Sequence, residues 1–436
     1  MKAWRASLLW FDGSAEPARS ARYEADGLLL TDAGPDGVER VLEVGAYQSL
    51  YLRLRDQQPG LTITELPGRI IAPGFVDMHI HYPQVDVMGS PADGLLPWLE
   101  NYTFPEEKKF FSDSHCANVA TFFVAELLRH GVTTAMCFAS AHVASVQALF
   151  AQSLASRLRV ISGLCLMDRH APEGLRNDTE QSLVDTEALI EQWHGKGRLG
   201  YAITPRFAPS CTPRQLQGAG ELATRYPDVW VQSHVAENLD EIRWARELFP
   251  ASGSYLGTYA DFGLLRQRAV YAHCIHFDDA DRALMSQSGA AAAVCPTSNL
   301  FLGSGFFDFA LASAAGMQYG LASDVGGGTS FSPFHTMLAA YYVGRQALPG
   351  TPGRAGVSLS PQELWWQHTA GAAAALGLAG VVGNLLPGCD ADFVVLNPQA
   401  TPLLASRTGQ ARSLDELLFA LIVLGDDRVV DRTVVA

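Results

Sequence analysis

The stretch that decides the fold is PGFVDMHIH, residues 73–81, in which a short apolar run ends in His79 and His81. A run of this length after a Pro-Gly turn is typical of a β-strand, where side chains two positions apart point to the same face. Two imidazoles at one strand end can bind the same metal ion. Taken alone, such a pair is more often two half-buried structural histidines, so a metal site is predicted only if residues elsewhere in the chain support it.

Seven further apolar runs follow, and helix-like segments lie between them. The runs are GVTTAMCFA, RVISGLCLM, LGYAITPRF, VWVQSHVAE, AVYAHCIHF, AAAAVCPTS and QYGLASDVG. The helix-like segments include residues 115–130, 182–194, 212–226, 238–248 and 279–288. Eight strands that are apolar throughout, alternating with helices, predict an α/β fold of the (β/α)8 TIM-barrel type.

The two ends of the chain differ from this middle part. Residues 1–70 contain short strand-like runs separated by turns, and the C-terminal runs DADFVVLNP and DDRVVDRTVVA have the same character. We therefore predict a small β-sandwich domain built from residues 1–70 and 383–436. The catalytic barrel is predicted to occupy residues 71–382.

Four of the eight predicted strands end in residues that can bind a metal. His79 and His81 close the first strand, His234 the fifth, His273 the sixth and Asp324 the eighth. The C-terminal ends of barrel strands converge on one face, so these side chains are expected to meet. Three imidazoles and a carboxylate suit Zn²⁺ or Fe²⁺ with a position left for water, which the metal makes more acidic. The pattern predicts a metal-dependent hydrolase.

Further residues are predicted to act in catalysis. Glu237 follows His234 by three positions, where a carboxyl can transfer protons between water and substrate. Asp324 can bind the metal through one oxygen and accept a proton from water through the other. His273 either completes the metal shell or hydrogen-bonds the developing charge, and we favour the second role. The predicted fourth strand ends at Arg206 with no lysine that could bridge two metals, which favours one metal ion per chain.

Composition limits the partners and the location. The chain has 436 residues, a formal net charge of −14 and 48% hydrophobic residues. Nucleic acids and anionic membranes require a basic surface, so neither is an expected partner. The seven cysteines are scattered and form no CxxC pair, and no segment resembles a signal peptide or a membrane span. The expected location is the cytoplasm.

Together, PGFVDMHIH, HVAE, HC and SDVGGG resemble the amidohydrolase superfamily over nearly the whole chain. More narrowly, HIHYPQ, LLPWLENYTFPEE, ITPRFAPSC, CPTSNLFLGSG and SDVGGGTSFS are similar to the guanine deaminase family. The resemblance implies a Zn²⁺ ion and a homodimer. It also implies three sets of site residues, namely metal ligands His79, His81, His234 and Asp324, catalytic residues Glu237, His273 and Asp324, and purine-binding residues Gln84, Arg206 and Phe207.

The resemblance further implies hydrolysis of guanine to xanthine and ammonia, with hydroxide attacking C2, Glu237 protonating N3 and Asp324 accepting a proton. One alternative is the same chemistry on 8-oxoguanine, a pterin or a triazine, since a few side chains can change specificity. Another is a non-catalytic barrel, although every expected catalytic position is filled. The aromatic-rich residues 89–111 are predicted to form a lid, a subunit contact or an ordinary insertion.

Overall fold

The computed structural model describes residues 1–14, 20–58, 60–346 and 356–436. The strands of this described part are β1 Lys2–Phe11, β2 Ala21–Ala33, β3 Glu39–Ala46, β4 Ile63–Pro73, β5 Phe75–His81, β6 Val132–Phe138, β7 Arg159–Gly163, β8 Cys165–Leu166, β9 Gly200–Pro205, β10 Trp230–Val235, β11 Ala269–His273, β12 Ala291–Val294, β13 Gln318–Leu321, β14 Phe393–Leu396 and β15 Val430–Val434.

The helices alternate with the central strands. They are α1 Tyr47–Gln57, α2 Leu95–Trp98, α3 Phe104–Glu107, α4 Asp113–Arg129, α5 Val143–Ala155, α6 Thr179–Trp193, α7 Pro213–Arg225, α8 Leu239–Leu248, α9 Tyr255–Asp261, α10 Asp279–Ser288, α11 Pro296–Phe301, α12 Phe309–Ala314, α13 Pro333–Arg345, α14 Pro361–Gln367, α15 Ala370–Ala375, α16 Pro402–Thr408 and α17 Leu414–Leu424. None of the described helices is long and apolar enough to cross a membrane.

The central strands form the predicted barrel. Eight of them are parallel neighbours in the order β5-β6-β7-β9-β10-β11-β12-β13, and the two-residue strand β8 pairs beside β9. The first and last strands meet through backbone bonds, because the Asp324 N–H donates to the His79 carbonyl at 2.9 Å and the His81 N–H to the Val325 carbonyl at 2.7 Å. All eight apolar runs are strands, which confirms the predicted barrel.

The barrel interior beneath the strand ends is largely apolar, although the buried Gln232 amide donates there to the Thr204 hydroxyl at 3.0 Å. Small and branched side chains from several strands fill it, including Val76, Met78, Ile161, Val270 and Ala293. Helix α15 closes the opposite end, and the indole N–H of Trp230 donates to the Leu376 carbonyl there at 2.9 Å. Apolar side chains therefore form most of the layer below the polar site.

The strands from the two chain ends form one six-stranded sheet with the order β15-β14-β4-β1-β2-β3. Leu8, Leu29 and Phe393 belong to one apolar cluster on this sheet. Helix α1 contributes Leu50 and Leu54 to a second cluster. The sequence analysis did not predict α1, although these two leucines are four residues apart, as on one helix face. The domain boundaries at residues 70 and 382 stay a prediction.

Candidate metal and substrate site

The four predicted metal ligands converge at the C-terminal end of the barrel. The Nε2 atom of His81 lies 3.1 Å from Nε2 of His79 and 3.2 Å from Nε2 of His234. The Oδ1 atom of Asp324 lies 3.2 Å from His79 Nε2 and 3.3 Å from His81 Nε2. Strands β5 and β10 and the loop after β13 thus bring three ring nitrogens and one carboxylate oxygen to one point.

The protonation of this cluster fits a divalent cation. Burial lowers the pKa of His79, lowers that of His81 to about 4 and lowers that of His234 far below its ordinary value, so these imidazoles are neutral near pH 7. Burial alone would raise the pKa of Asp324, but the neighbouring histidines hold it well below its usual range. Neutral imidazole nitrogens facing a carboxylate are the donor set that transition metals require.

One ring is fixed by its other nitrogen. The Nδ1 atom of His234 lies 2.6 Å from the Arg206 carbonyl oxygen and can donate to it, which leaves the Nε2 lone pair facing the cluster. A backbone carbonyl acting on the second ring nitrogen is the usual way in which a metal-binding histidine is oriented.

Asp77 ties the ends of β5 and β13 together. Its buried Oδ1 accepts the N–H of His79 at 3.2 Å and the N–H of Ser323 at 3.1 Å. Burial raises the pKa of this carboxyl to about 7. Asp324 itself has a φ of +52°, a strained conformation for a residue with a side chain. These backbone bonds hold the Asp324 carboxylate against the histidines.

The glycine run after Asp324 is required by the protein's own backbone. A Cβ atom on Gly326 would lie 2.3 Å from the Gln84 carbonyl oxygen, and one on Gly328 would lie 1.7 Å from the Ser323 carbonyl oxygen. These glycines allow the loop to turn back tightly beside β5.

Glu237 lies beside the cluster and is buried. Its Oε1 accepts the Ser304 hydroxyl at 3.0 Å, and its Oε2 lies 3.3 Å from His273 Nε2. Burial and then the negative charge of Asp324 raise its pKa to about 8. The raised pKa favours the protonated carboxyl, which is the form that a general acid needs.

His273 is displaced from the four-atom cluster toward Glu237. Its Nδ1 lies 2.9 Å from Asn299 Oδ1, and its Nε2 lies 3.9 Å from Asp324 Oδ2. This geometry supports the hydrogen-bonding role. His79, His273 and Asp324 are nevertheless close enough to share an ion, so the choice between the two roles stays a prediction.

A pocket opens directly above these groups. Every predicted site residue except His79 lines it, and His79 contacts the lining residue His81 in the histidine cluster. The lining residues from the prediction are Gln84, Arg206, Phe207, His81, His234, Glu237, His273 and Asp324. Arg206 also forms a buried ion pair, with its NH1 atom 2.6 Å from Glu107 Oε2. Phe207 packs against Trp244, with ring centroids 5.8 Å apart and planes at 66°.

Comparison with known proteins agrees with this architecture. The profile of the amidohydrolase family matches residues 70–436. This chain belongs to the amidohydrolase family. Guanine deaminase of Escherichia coli (strain K12) is 39% identical over 439 residues, covering 100% of this chain and 96% of the relative. The probable guanine deaminase of Deinococcus radiodurans is 37% identical, covering 99% of this chain and 97% of the relative.

Two solved amidohydrolase structures extend the match to three dimensions. The E. coli guanine deaminase structure has a TM-score of 0.91 and 39% identity, covering 100% of this chain and 97% of that one. The guanine deaminase of C. acetobutylicum with guanine bound in its active site has a TM-score of 0.90 and 30% identity, covering 100% and 98%.

Several residues that support the candidate site of this amidohydrolase were not predicted from the sequence. They support other side chains instead of ending a strand, so no strand-end signal marks them. Leu95, Trp98 and Leu99 of the 89–111 segment line the pocket. Whether this segment acts as a lid, a subunit contact or an ordinary insertion stays a prediction. The missed residues are Asp77, Glu107, Glu241, Asn299 and Ser304.

Proposed function

We propose that this amidohydrolase is a guanine deaminase, which hydrolyses guanine to xanthine and ammonia. The observation that carries the proposal is the pocket in which Gln84, Arg206 and Phe207 lie beside the convergent histidines and Glu237. The full-length similarity to guanine deaminases supports the same substrate. Guanine presents a carbonyl oxygen for an arginine, ring nitrogens for an amide and a flat face for a phenyl ring.

Amidohydrolases depend on a metal, and we propose one Zn²⁺ per chain, with Fe²⁺ as the alternative. His79, His81, His234 and Asp324 would hold it, because three neutral imidazole nitrogens and a carboxylate oxygen converge there. When bound, such a metal supplies a water molecule acidic enough to be a nucleophile near neutral pH.

The protein's own groups then move the protons. The second oxygen of Asp324 accepts a proton from the attacking water, and protonated Glu237 donates one to N3 as the new C–O bond forms at C2. His273, oriented by Asn299, hydrogen-bonds the charge that develops beside it. When the C2–N bond breaks, the leaving amino group takes the proton held by Asp324 and departs as ammonia. The C2 hydroxyl gives its proton back to Glu237 and becomes the carbonyl of xanthine.

The donor pattern of the pocket favours a ring with a carbonyl oxygen, which guanine shares with 8-oxoguanine and the pterins. Arg206 is a permanent donor, so it suits a substrate with a carbonyl oxygen at the corresponding position. Deamination of 8-oxoguanine, a pterin or a triazine is the alternative.

We further propose that the protein is a homodimer and that it is located in the cytoplasm. The seven free cysteines support the proposed location, because a reducing compartment keeps thiols unpaired.

The test mixes metal-loaded protein with guanine and follows the loss of purine absorbance and the release of ammonia. We expect xanthine to form and the Glu237→Gln variant to lose about 10²- to 10⁴-fold in kcat. Its metal content should stay near one ion per chain, because Glu237 is not a proposed ligand. Glu247→Gln, an exposed change on α8, is the matched control and should leave kcat unchanged.

Removing the metal provides a second check. Chelation should abolish turnover, and one equivalent of Zn²⁺ should restore it. If the protein binds one metal ion per chain but does not turn over guanine, the proposed substrate is wrong. A panel of amino-heterocycles would then identify the ring on which this hydrolase acts.

A further inference from the structure

Glu107 is a buried carboxylate between two side chains of the substrate pocket. It is 1% exposed, while Gln84 and Arg206 are 2% and 4% exposed. Its Oε1 accepts Gln84 Nε2 at 2.9 Å, and its Oε2 accepts Arg206 NH1 at 2.6 Å. One carboxylate therefore contacts both of the polar groups that are proposed to recognise the purine.

The hydrogen bond between Glu107 and Gln84 fixes the orientation of the Gln84 amide. A glutamine amide can present either its oxygen or its NH2 group, but a carboxylate only accepts hydrogen bonds. The NH2 group must therefore face Glu107, and Gln84 Oε1 lies 3.4 Å from the backbone N–H of Gly326 at the other end. The second N–H of the Gln84 amide and the second lone pair of its oxygen therefore point in fixed directions.

The contact with Arg206 fixes a charged donor in the same way. The guanidinium lies over the Phe104 ring, with its central carbon 5.3 Å from the ring centroid, and Glu107 neutralises it. A guanidinium is a rigid planar fork, so fixing one nitrogen and one face fixes the directions of its other N–H groups. A buried guanidinium without a partner would be strongly unfavourable.

We propose that Glu107 is a positioning residue that selects a 6-oxopurine over a 6-aminopurine. It holds Gln84 and Arg206 in the one arrangement in which their remaining donors meet a carbonyl oxygen. A 6-amino group would present donors to donors and leave buried N–H groups unpaired, which is the situation that rejects an analogue most strongly. The inference deepens the proposed function and rests on it.

The test measures purine binding to metal-loaded Glu107→Gln by calorimetry. Hypoxanthine is a 6-oxopurine with no 2-amino group to lose, and adenine is its 6-amino counterpart. The substituted amide keeps one acceptor for Arg206 but turns an NH2 group toward the NH2 group of Gln84. We expect hypoxanthine to bind about 10- to 100-fold more weakly, the usual loss for a charged hydrogen-bond partner, and adenine to change by less than about threefold.

Kinetics give a readout that a purely structural residue would not produce. We expect the KM for guanine in Glu107→Gln to rise by a larger factor than kcat falls, because the lost contacts hold the ring in the ground state as well as the transition state. Glu106→Gln is the matched control. Glu106 is the adjacent buried carboxylate, but its Oε2 pairs with the exposed Lys109 at 2.5 Å, so hypoxanthine binding should not change.

A second variant exchanges the two groups. In Gln84→Glu with Glu107→Gln, the amide of residue 107 donates to the new carboxylate, and its oxygen still accepts from Arg206. The thermal midpoint should return toward that of the wild type. Hypoxanthine binding should stay weak, because residue 84 no longer has a donor.

The outcomes separate this inference from the proposed function. A folded Glu107→Gln variant with wild-type affinity for hypoxanthine would overturn the inference, and so would equal losses for hypoxanthine and adenine. If that variant does not fold, wild-type hypoxanthine binding by the exchanged pair would overturn it instead. A wild-type chain that binds hypoxanthine but does not deaminate guanine would contradict the proposed function alone.

Discussion

Glu241 lies four residues beyond Glu237 and hydrogen-bonds its backbone. The buried Glu241 Oε2 accepts the backbone N–H of Glu237 at 3.0 Å, and its Oε1 accepts the hydroxyl of Tyr255 at 2.6 Å. Burial and then the charge of Glu237 raise the pKa of this carboxyl from 4.5 to about 7. The folded chain thus binds more protons here than the unfolded chain between these two values, and the contribution to stability declines as the pH rises through that window.

This residue gives a prediction about pH. In Glu241→Gln the amide oxygen can accept the backbone N–H and the NH2 group can donate to Tyr255, so the fold is kept while the titration is removed. The thermal midpoint of the variant minus that of the wild type should become more positive from about pH 5 to about pH 7 and level off above that range. Glu247→Gln, on the exposed side of α8, should show no such trend. A difference independent of pH would contradict the prediction.

At the scale of elements, the loop after β13 connects the proposed metal ligands to the proposed substrate pocket. It carries Asp324 at its start, and Gly326 passes against the backbone of Gln84. Asp324 and Gln84 both belong to the proposed site. A change in the path of this loop would therefore displace a proposed metal ligand and a proposed purine contact together.

The Gly326→Ala variant tests this connection. The new Cβ would lie 2.3 Å from the Gln84 carbonyl oxygen, and backbone cannot yield as a flexible side chain can. We expect a loss of about 1–3 kcal/mol in stability, typical of overpacking, with weaker metal retention and a higher KM for guanine. Thermal unfolding, metal analysis and kinetics measure the three effects. Gly253→Ala is the control, since no atom lies within 4 Å of its Cβ position.

At the scale of the whole molecule, a buried ionic cluster joins the barrel to the terminal sheet. Arg198, before β9, pairs with Asp392 and lies 3.3 Å from Asp390, both before β14. Arg159 of β7 also donates to Asp390 at 2.8 Å. Asp392 additionally accepts the backbone N–H of Ala436 at 3.0 Å, so the C-terminus is tied to the same cluster.

Removing one partner of this cluster should destabilise the whole chain. We expect Asp392→Ala to lower the free energy of unfolding by about 3 kcal/mol, because it leaves part of the buried charge on Arg198 uncompensated. Asp431→Ala removes the solvent-exposed pair with Arg69 and should cost less than about 1 kcal/mol. Denaturant unfolding of both variants measures the contrast. Equal losses in the free energy of unfolding would show that the buried cluster contributes no more to stability than the exposed pair.

The sequence alone determined the barrel and the chemistry at its strand ends. Runs that are apolar on both faces mark parallel strands, and in a barrel such strands must end on one face. The types of residue at those ends then indicate a metal, so His79, His81, His234 and Asp324 could be named without coordinates. Helix α1 was missed because its two buried leucines are a weak signal among strand-like runs.

Only the tertiary structure decided which side chains support the site. Glu106 and Glu107 are adjacent and identical in type, yet one pairs with Lys109 and the other with Gln84 and Arg206. Neighbouring residues on a helix point in different directions, and the direction that meets a buried partner depends on how α3 packs over the barrel. Local sequence carries the residue types, whereas long-range packing decides which carboxylate is buried beside which cation.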